Sequence, residues 1–383
     1  MKKMSSRERV LAAIRREPVD HVPCVPSFNP LSKVLRRDHT WNFPWSESAS
    51  REEQIQYQVE TLGTDAVIHA GAGLVESHPD VTSRTWIEDG VLHKAYDTPS
   101  GELKASMRYT DTWPHGEDIP FYSDFNVGHA TKPWIRTEAD LACFKHVHRL
   151  SDSAAVLDRA RRGLREARNL AGKYGLPVQA SCGMGLTGAQ HLFGVDGLCL
   201  MAVDNPDLID AYLAYEHSIN VRTVEVLGEG NVDIVRRNGF YETADFFSPQ
   251  MLDRFLGKFL RAEVAAAHAA GMVTSYTVHT GVMPILDHLA GLPFDSLFGI
   301  DIAFGGVEIE RVQEKLAPTK SFYIGPSSTY HLWNGAEPTR EGVRKVFDVF
   351  GKTGLIISQC VSAHSIMPWE STLAMIEVWK ELR

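Results

Sequence analysis

Eight short stretches rich in β-branched and other apolar residues recur along this chain of 383 residues, and most are separated by segments of helical periodicity. They lie at residues 22–27, 65–69, 178–182, 232–236, 273–279, 295–300, 321–325 and 354–360. Strands buried on both faces read as near-continuous apolar runs, and their alternation with helices is the pattern of a parallel sheet. Eight such units in this length predict an α/β fold, a (β/α)8 TIM barrel. A doubly wound open sheet is the alternative. Against it, no GxGxxG follows a first strand and no GxxxxGK[ST] occurs anywhere.

The alternation is interrupted once. Residues 84–88, 91–96 and 102–109 are β-rich or alternating, with Asp89-Gly90 and Ser100-Gly101 between them. That predicts an antiparallel β meander inserted after the second strand, at about residues 80–112. Residues 113–134, rich in Pro, Gly, His and aromatic residues, read as a long loop. Ser5 or Ser6 can cap a first helix that runs to Arg16, and helices are expected at 151–174 and 249–270. With no linker or low-complexity stretch, the whole chain 1–383 reads as one domain.

Bulk properties narrow the function. The net charge is −9 and no run of Lys and Arg stands out, which argues against nucleic acid or an anionic membrane as partner. No apolar stretch reaches signal-peptide or transmembrane length, so the expected location is the cytoplasm. The five cysteines (Cys24, Cys143, Cys182, Cys199, Cys360) are scattered and form no CxxC pair. That argues against a disulfide framework and a zinc ribbon.

In a TIM barrel the chemistry collects where the strands end. The strand ends here offer Ser27 and Asn29, His69, Cys182 and Met184, Arg236 and Asn238, His279, Asp301, Ser327 and Ser328, and Gln359 and Cys360, with His364 just beyond. The fifth of these strands, VTSYTVHTG, delivers His279 and then Gly281. A His, an Asp and a Cys at the ends of the fifth, sixth and eighth strands would suit zinc with an open position. Each has a plainer reading. His279 can be a hydrogen-bonded structural residue, Asp301 a turn cap, and Cys360 a small apolar filler. The aromatic residues Trp113, Phe121, Tyr122, Phe125 and Trp134, with Trp41, Phe43 and Trp45, are either packing over the barrel mouth or a wall for an aromatic substrate; the second is the expectation.

Several ordered segments resemble the uroporphyrinogen decarboxylase superfamily. SRERVLAAIRREPVDHVP is similar to its opening helix and the lead into the first strand. DTPSGEL, SPQMLDRFLGKFLRAEVAAAHAAG and the C-terminal ISQCVSAHSIMPWESTLAMIEVWKE resemble segments of its corrinoid-dependent methyltransferase branch, in the same order. The decarboxylases carry an RQAGR-like motif after the first strand; here SFNPLSKVLRRD stands there instead. The methylcobamide methyltransferases carry His-x-Cys at the fifth strand and a later Cys, all on zinc. This chain keeps His279, has Gly281 in place of the first Cys, and has Cys360 one residue before the position of the second. Asp301 falls where that branch has an acidic residue able to complete the zinc shell.

The resemblance implies a zinc-dependent methyltransferase of O-demethylase type. It would move a methyl group from a small methylated donor, a methoxylated aromatic first among them, to the cobalt of a corrinoid (cobalamin) carried by a partner protein. Zinc would be held by His279, Asp301 and Cys360. His364 would be a further ligand or a proton donor. Asn29, His69, Asn238, Tyr241 and Glu242 are the candidates for orienting the substrate. A shell short of one thiolate favours Lewis acidity toward oxygen over activation of a thiol. The alternatives are a methylcobamide-dependent methyltransferase with another acceptor, a metal-free decarboxylase of the uroporphyrinogen type, and a non-catalytic barrel. A homodimer is compatible with all of them.

Overall fold

A computed structural model describes residues 3–28, 41, 43–360 and 367–383. Thirteen strands follow in chain order: β1 (Ile68–Ala70), β2 (Val75–Glu76), β3 (Thr82–Glu88), β4 (Val91–Thr98), β5 (Gly101–Arg108), β6 (Ala130–Lys132), β7 (Arg149–Leu150), β8 (Val178–Ser181), β9 (Ile234–Asn238), β10 (Val273–Thr277), β11 (Ser296–Phe298), β12 (Ser321–Ile324) and β13 (Leu355–Ile357). Seven of them form one parallel sheet in the order β1-β8-β9-β10-β11-β12-β13, so each neighbour in space is the next sheet strand in sequence. This is the curled, helix-flanked sheet of a TIM-barrel-like fold.

The expected first strand, 22–27, survives only as a bridge between Cys24 and Ile357. Its sequence gives the reason: Pro23 and Pro26 have no N–H to donate to a ladder. The segment still joins the two ends of the sheet. Val25 N donates to Ile357 O at 2.8 Å, Ile357 N donates to Pro23 O at 2.8 Å, and Asp65 N donates to Cys24 O at 2.8 Å. The Asp65 carboxylate locks this corner, accepting from Cys24 N, Ser6 Oγ and the Arg9 guanidinium.

Arg9 belongs to the first helix, Ser6–Ile14, which starts at a capping box between Ser5 and Glu8. Val10, Leu11, Ala13 and Ile14 of that helix pack with Val25, Ile234, Val273, Phe298, Tyr323 and Ile356. These strand residues alternate with ones that face the helices, as the two-residue period of a strand requires. Helix Ala154–Tyr174 is typical of the outer layer. Its buried Val156, Ala160, Leu164, Ala167 and Ala171 recur every three or four residues, and Gly175 ends it at φ +64°.

The inserted meander is present as β3-β4-β5, with a fourth strand, β6, on its open edge. The insertion thus reaches past the expected end at 112, and part of the expected loop 113–134 is the helix Asp124–His129 and β6. Among the described residues no single helix is long and apolar enough to cross a membrane.

Candidate functional site

His279 lies two residues beyond β10. Its Nδ1–H donates to Gly299 O at 2.6 Å, and its ring stacks on Phe240 with centroids 5.3 Å apart. The ring sits against Gly299 so closely that a Cβ there, at φ +83°, would lie 2.6 Å from His279 Cε1. Burial lowers the His279 pKa, against the opposing pull of the Gly299 carbonyl and Asp301, and favours the neutral imidazole.

Cys360, 81 residues away in sequence, places Sγ 3.4 Å from His279 Nδ1. Burial and the nearby Asp301 push its thiol well above the usual range, so it is protonated. Asp301 is tied to the same corner through its backbone N, which donates to His279 O at 3.0 Å. Its carboxylate accepts from Ala303 N at 2.9 Å and from Ser327 Oγ at 2.8 Å. His279 and Cys360 therefore meet at one corner of the sheet's C-terminal edge, and the Asp301 backbone joins it while its carboxylate is engaged by Ala303 and Ser327.

The hydrogen bond to Gly299 leaves His279 Nε2 as the nitrogen with a free lone pair, which is how a ligating histidine is held. The carboxylate of Asp301 does what its turn-capping reading described, and also holds Ser327. Among the described residues no three His, Cys, Asp or Glu side chains are grouped so as to hold a metal ion. The corner thus supplies a histidine with its Nε2 lone pair available and a thiol beside its other nitrogen, Nδ1, with the carboxylate turned toward Ser327 and the chain.

The residues expected to orient a substrate separate into different places. His69 lines a cavity of about 240 Å³ between the strand ends and the helix Arg51–Gln56. Much of its surface is open, but it opens to that cavity; enclosure, Arg236 and Arg51 lower its pKa to about 4. Asn238 ends β9 beside Thr277. Tyr241 donates through its hydroxyl to Asp124 at 3.0 Å and lines a separate groove of about 930 Å³ against Phe193 and Phe246. Asn29 and His364 lie outside the described residues.

Glu242 departs from the expectation. It is 1% exposed, accepts from Leu186 N and the Tyr276 hydroxyl, and lies 3.5 Å from Arg237. Arg237 is also paired with Glu263 at 3.0 Å and reaches Glu216 at 3.9 Å. Burial raises the Glu242 pKa to about 7 despite Arg237, while burial of Arg237 is outweighed by Glu263, Glu242 and Glu216, which raise its pKa. This cluster knits β9 to the helix layer and does not open on the cavity.

The two aromatic groups also separate. Trp113 and Trp134 are buried at 3% and 0%, and Phe121 packs on Trp134 and Phe144, so this group welds the meander to the body. Phe43 and Trp45 instead stack on each other and meet Phe28, Tyr57 and Trp369, with Trp41 on the edge of Phe43. Phe28 of this second group lines the His69 cavity. Only there does the substrate-wall reading keep a place.

Arg236 is the cavity residue whose weight the sequence concealed. It precedes Arg237, so the strand alternation turns it the other way, into the sheet's interior. Its guanidinium carbon lies 3.7 Å from the Phe298 ring centroid and 5.2 Å from that of Tyr323.

No family model and no curated protein matches the chain. Among solved structures it is similar to a methyltransferase from Methanosarcina mazei, at 16% identity over 99% of each chain, with a TM-score of 0.62. A B12-independent methionine synthase from Shewanella sp. W3-18-1, in complex with selenomethionine, aligns over 94% of this chain and 97% of that one. Its identity is 11% and its TM-score 0.48, and it adds no argument. The first likeness, end to end, establishes the fold, a TIM-barrel-like α/β sheet.

Proposed function

We propose that the chain is a methyltransferase that takes a methyl group from a small methylated donor, a methoxylated aromatic first among them. The acceptor is the cobalt of a corrinoid held by a separate protein over the barrel mouth. The observation that carries this reading is the meeting of His279 and Cys360 at 3.4 Å, with Asp301 bonded to the same backbone. The ordered sequence resemblance brought the same three residues to one site, and the end-to-end likeness in fold to a methyltransferase agrees with it.

The chain's own residues then do the following. Phe240 and Gly299 fix the plane of His279, so that Nε2 is the nitrogen offered to a bound partner. Cys360 keeps its proton unless something draws it off. Ser327 and Ala303 hold Asp301 where it can receive or orient a donor. In this reading His279, Asp301 and Cys360 would hold a zinc ion, whose Lewis acidity toward an ether oxygen would ease departure of a phenoxide.

The test combines the purified chain with a methoxylated aromatic and a Co(I) corrinoid protein, and follows the visible spectrum for methylated cobalt. Transfer that depends on His279 is expected, with loss of at least tenfold in His279→Ala. No transfer from any methylated donor overturns the reading. Elemental analysis of protein purified without chelator tests zinc separately, with about one ion per chain expected. A decarboxylase acting on a polycarboxylate is disfavoured by one feature. Arg237 is consumed by three glutamates, which leaves Arg236 and Arg51 as the arginines of the cavity among the described residues.

A further inference from the structure

The cavity beside His69 contains an unsatisfied positive charge. Among the described residues Arg236 has no carboxylate partner and no side-chain hydrogen bond, and its Nε is buried without an acceptor. Its contacts are the faces of Phe298 and Tyr323. Burial lowers its pKa only to about 10, so it remains charged near neutral pH. Arg236 is half-buried with its Nε fully enclosed, and a cation held partly out of water without a partner is costly unless a ligand binds it.

Other polar atoms near it share this condition. Ser275, the register partner of Arg236, has a buried Oγ with no partner, and so does Ser358, which lines the cavity. Arg51 is a second cation on the cavity wall, also without a carboxylate partner among the described residues. His69 accepts at Nδ1 from Gln179 Nε2 at 3.4 Å, which leaves Nε2–H as a donor. The rest of the wall, with Val25, Phe28, Ile55 and Val67, is apolar.

We infer that this cavity binds the carboxylate of a small ligand with an apolar body, with Arg236 as its principal cation and Arg51, His69 and Ser358 around it. Among the described residues the site has donors and no carboxylate, which selects an anion over a cation or a neutral amide. Its volume of about 240 Å³ and apolar wall select a compact aromatic or branched acid over a polyanion. This deepens the methyl-transfer reading by assigning a negative charge to the donor, and it rests on that reading only for the ligand's role, since binding is measured without turnover.

Calorimetric titration of the full chain with benzoate, and with benzamide as its uncharged counterpart, tests it. Benzoate is expected to bind at least tenfold more tightly than benzamide and to raise the melting temperature. Arg236→Met is expected to lose benzoate binding at least tenfold while its melting temperature without ligand stays equal or rises, because an unpaired buried charge has been removed. Arg51→Gln, a surface change that leaves the core intact, is expected to weaken benzoate severalfold. The inference is overturned if benzoate and benzamide bind alike, if neither binds, or if Arg236→Met binds benzoate as the parent does. A markedly lower melting temperature in Arg236→Met, with Arg51→Gln binding unchanged, would make Arg236 a packing residue and also overturn it. Binding without methyl transfer would leave this site standing and remove the proposed reaction; transfer without charge-dependent binding would do the reverse.

Discussion

The carboxylate of Asp245 fills the space that a side chain at Gly281 would need. A Cβ at Gly281 would lie 2.6 Å from Asp245 Cγ and 2.7 Å from both carboxylate oxygens, and the glycine sits at φ +59°. Thr280 Oγ donates to Asp245 at 2.6 Å and holds it in place. The glycine that stands in place of the His-x-Cys cysteine of the resembled methyltransferases is therefore part of a local build. A cysteine there would have to displace the exposed Asp245 carboxylate and take up a left-handed backbone.

Gly281→Cys is accordingly expected to destabilise the fold. A side chain in the left-handed region costs on the order of 1–2 kcal/mol before any clash. Adding Asp245→Ala should recover the clash but not the backbone cost, and urea unfolding of the single and double variants separates the two. Equal stability of Gly281→Cys and the parent would refute the steric account.

Gly299→Ala should cost the fold about 1–2 kcal/mol for its left-handed backbone and act on the site beyond that. The added methyl would push the His279 ring away from the Gly299 carbonyl that orients it. A shift of about 1 Å at a catalytic group can cost roughly a hundredfold in rate. Activity is expected to fall much more than stability, and the two are compared by turnover and thermal melting of the same preparation.

Arg237→Leu should be among the most damaging single changes. It would leave Glu216, Glu242 and Glu263 buried together without their cation. Removing one partner of a buried ion pair typically costs about 3–5 kcal/mol. Glu242, already raised to about 7, would then take up a proton fully at neutral pH. Chemical unfolding at pH 7 reads the loss, and a variant within 1 kcal/mol of the parent (the order of an ordinary point mutation) would show the cluster to be less enclosed than its geometry indicates.

Stability should fall as the solution is acidified through the histidine range. His69 and His148 are each lowered to about 4, in both cases first by burial. Their unfolded value is about 6.5. Between about pH 6.5 and 4 the unfolded chain holds protons that the folded chain does not, so folding weakens as pH drops. Glu242 acts in the opposite sense: the folded chain keeps its proton up to about 7, so its contribution favours folding less as pH rises from about 4.5. The His148 ring proton signal should still report the neutral form at pH 5, and His148→Gln should flatten the acid limb of the stability curve. A His148 midpoint above 6 would refute this.

Much of the architecture was legible in the sequence because it follows from local periodicity. Seven of the eight expected strands appear within a few residues of their expected bounds, and β3, β4 and β5 fall where the two Gly-bearing turns put them. The eighth was reduced to a bridge by Pro23 and Pro26, a feature already written in the sequence. The fourth strand of the insertion was not legible, because Ala130–Lys132 pairs with β5 from more than twenty residues away. Among the site residues, His279, Asp301 and Cys360 could be named because each follows a recognisable strand.

The sequence by itself determined the order of strands and helices and the side chains their ends would offer. The adjacent pair Arg236-Arg237 shows what it left to the tertiary structure. A strand's period of two dictates that the two residues face opposite ways. Only the curling of the sheet decides which way is inward. Arg237 meets Glu216, Glu242 and Glu263 on the helix side and becomes part of the scaffold. Among the described residues Arg236 meets the faces of Phe298 and Tyr323 and no carboxylate, and keeps its charge for the cavity. Apart from Glu242, five residues on, these partners come from more than twenty residues away, and it is the enclosure they create, not the arginine itself, that makes one charge structural and the other available.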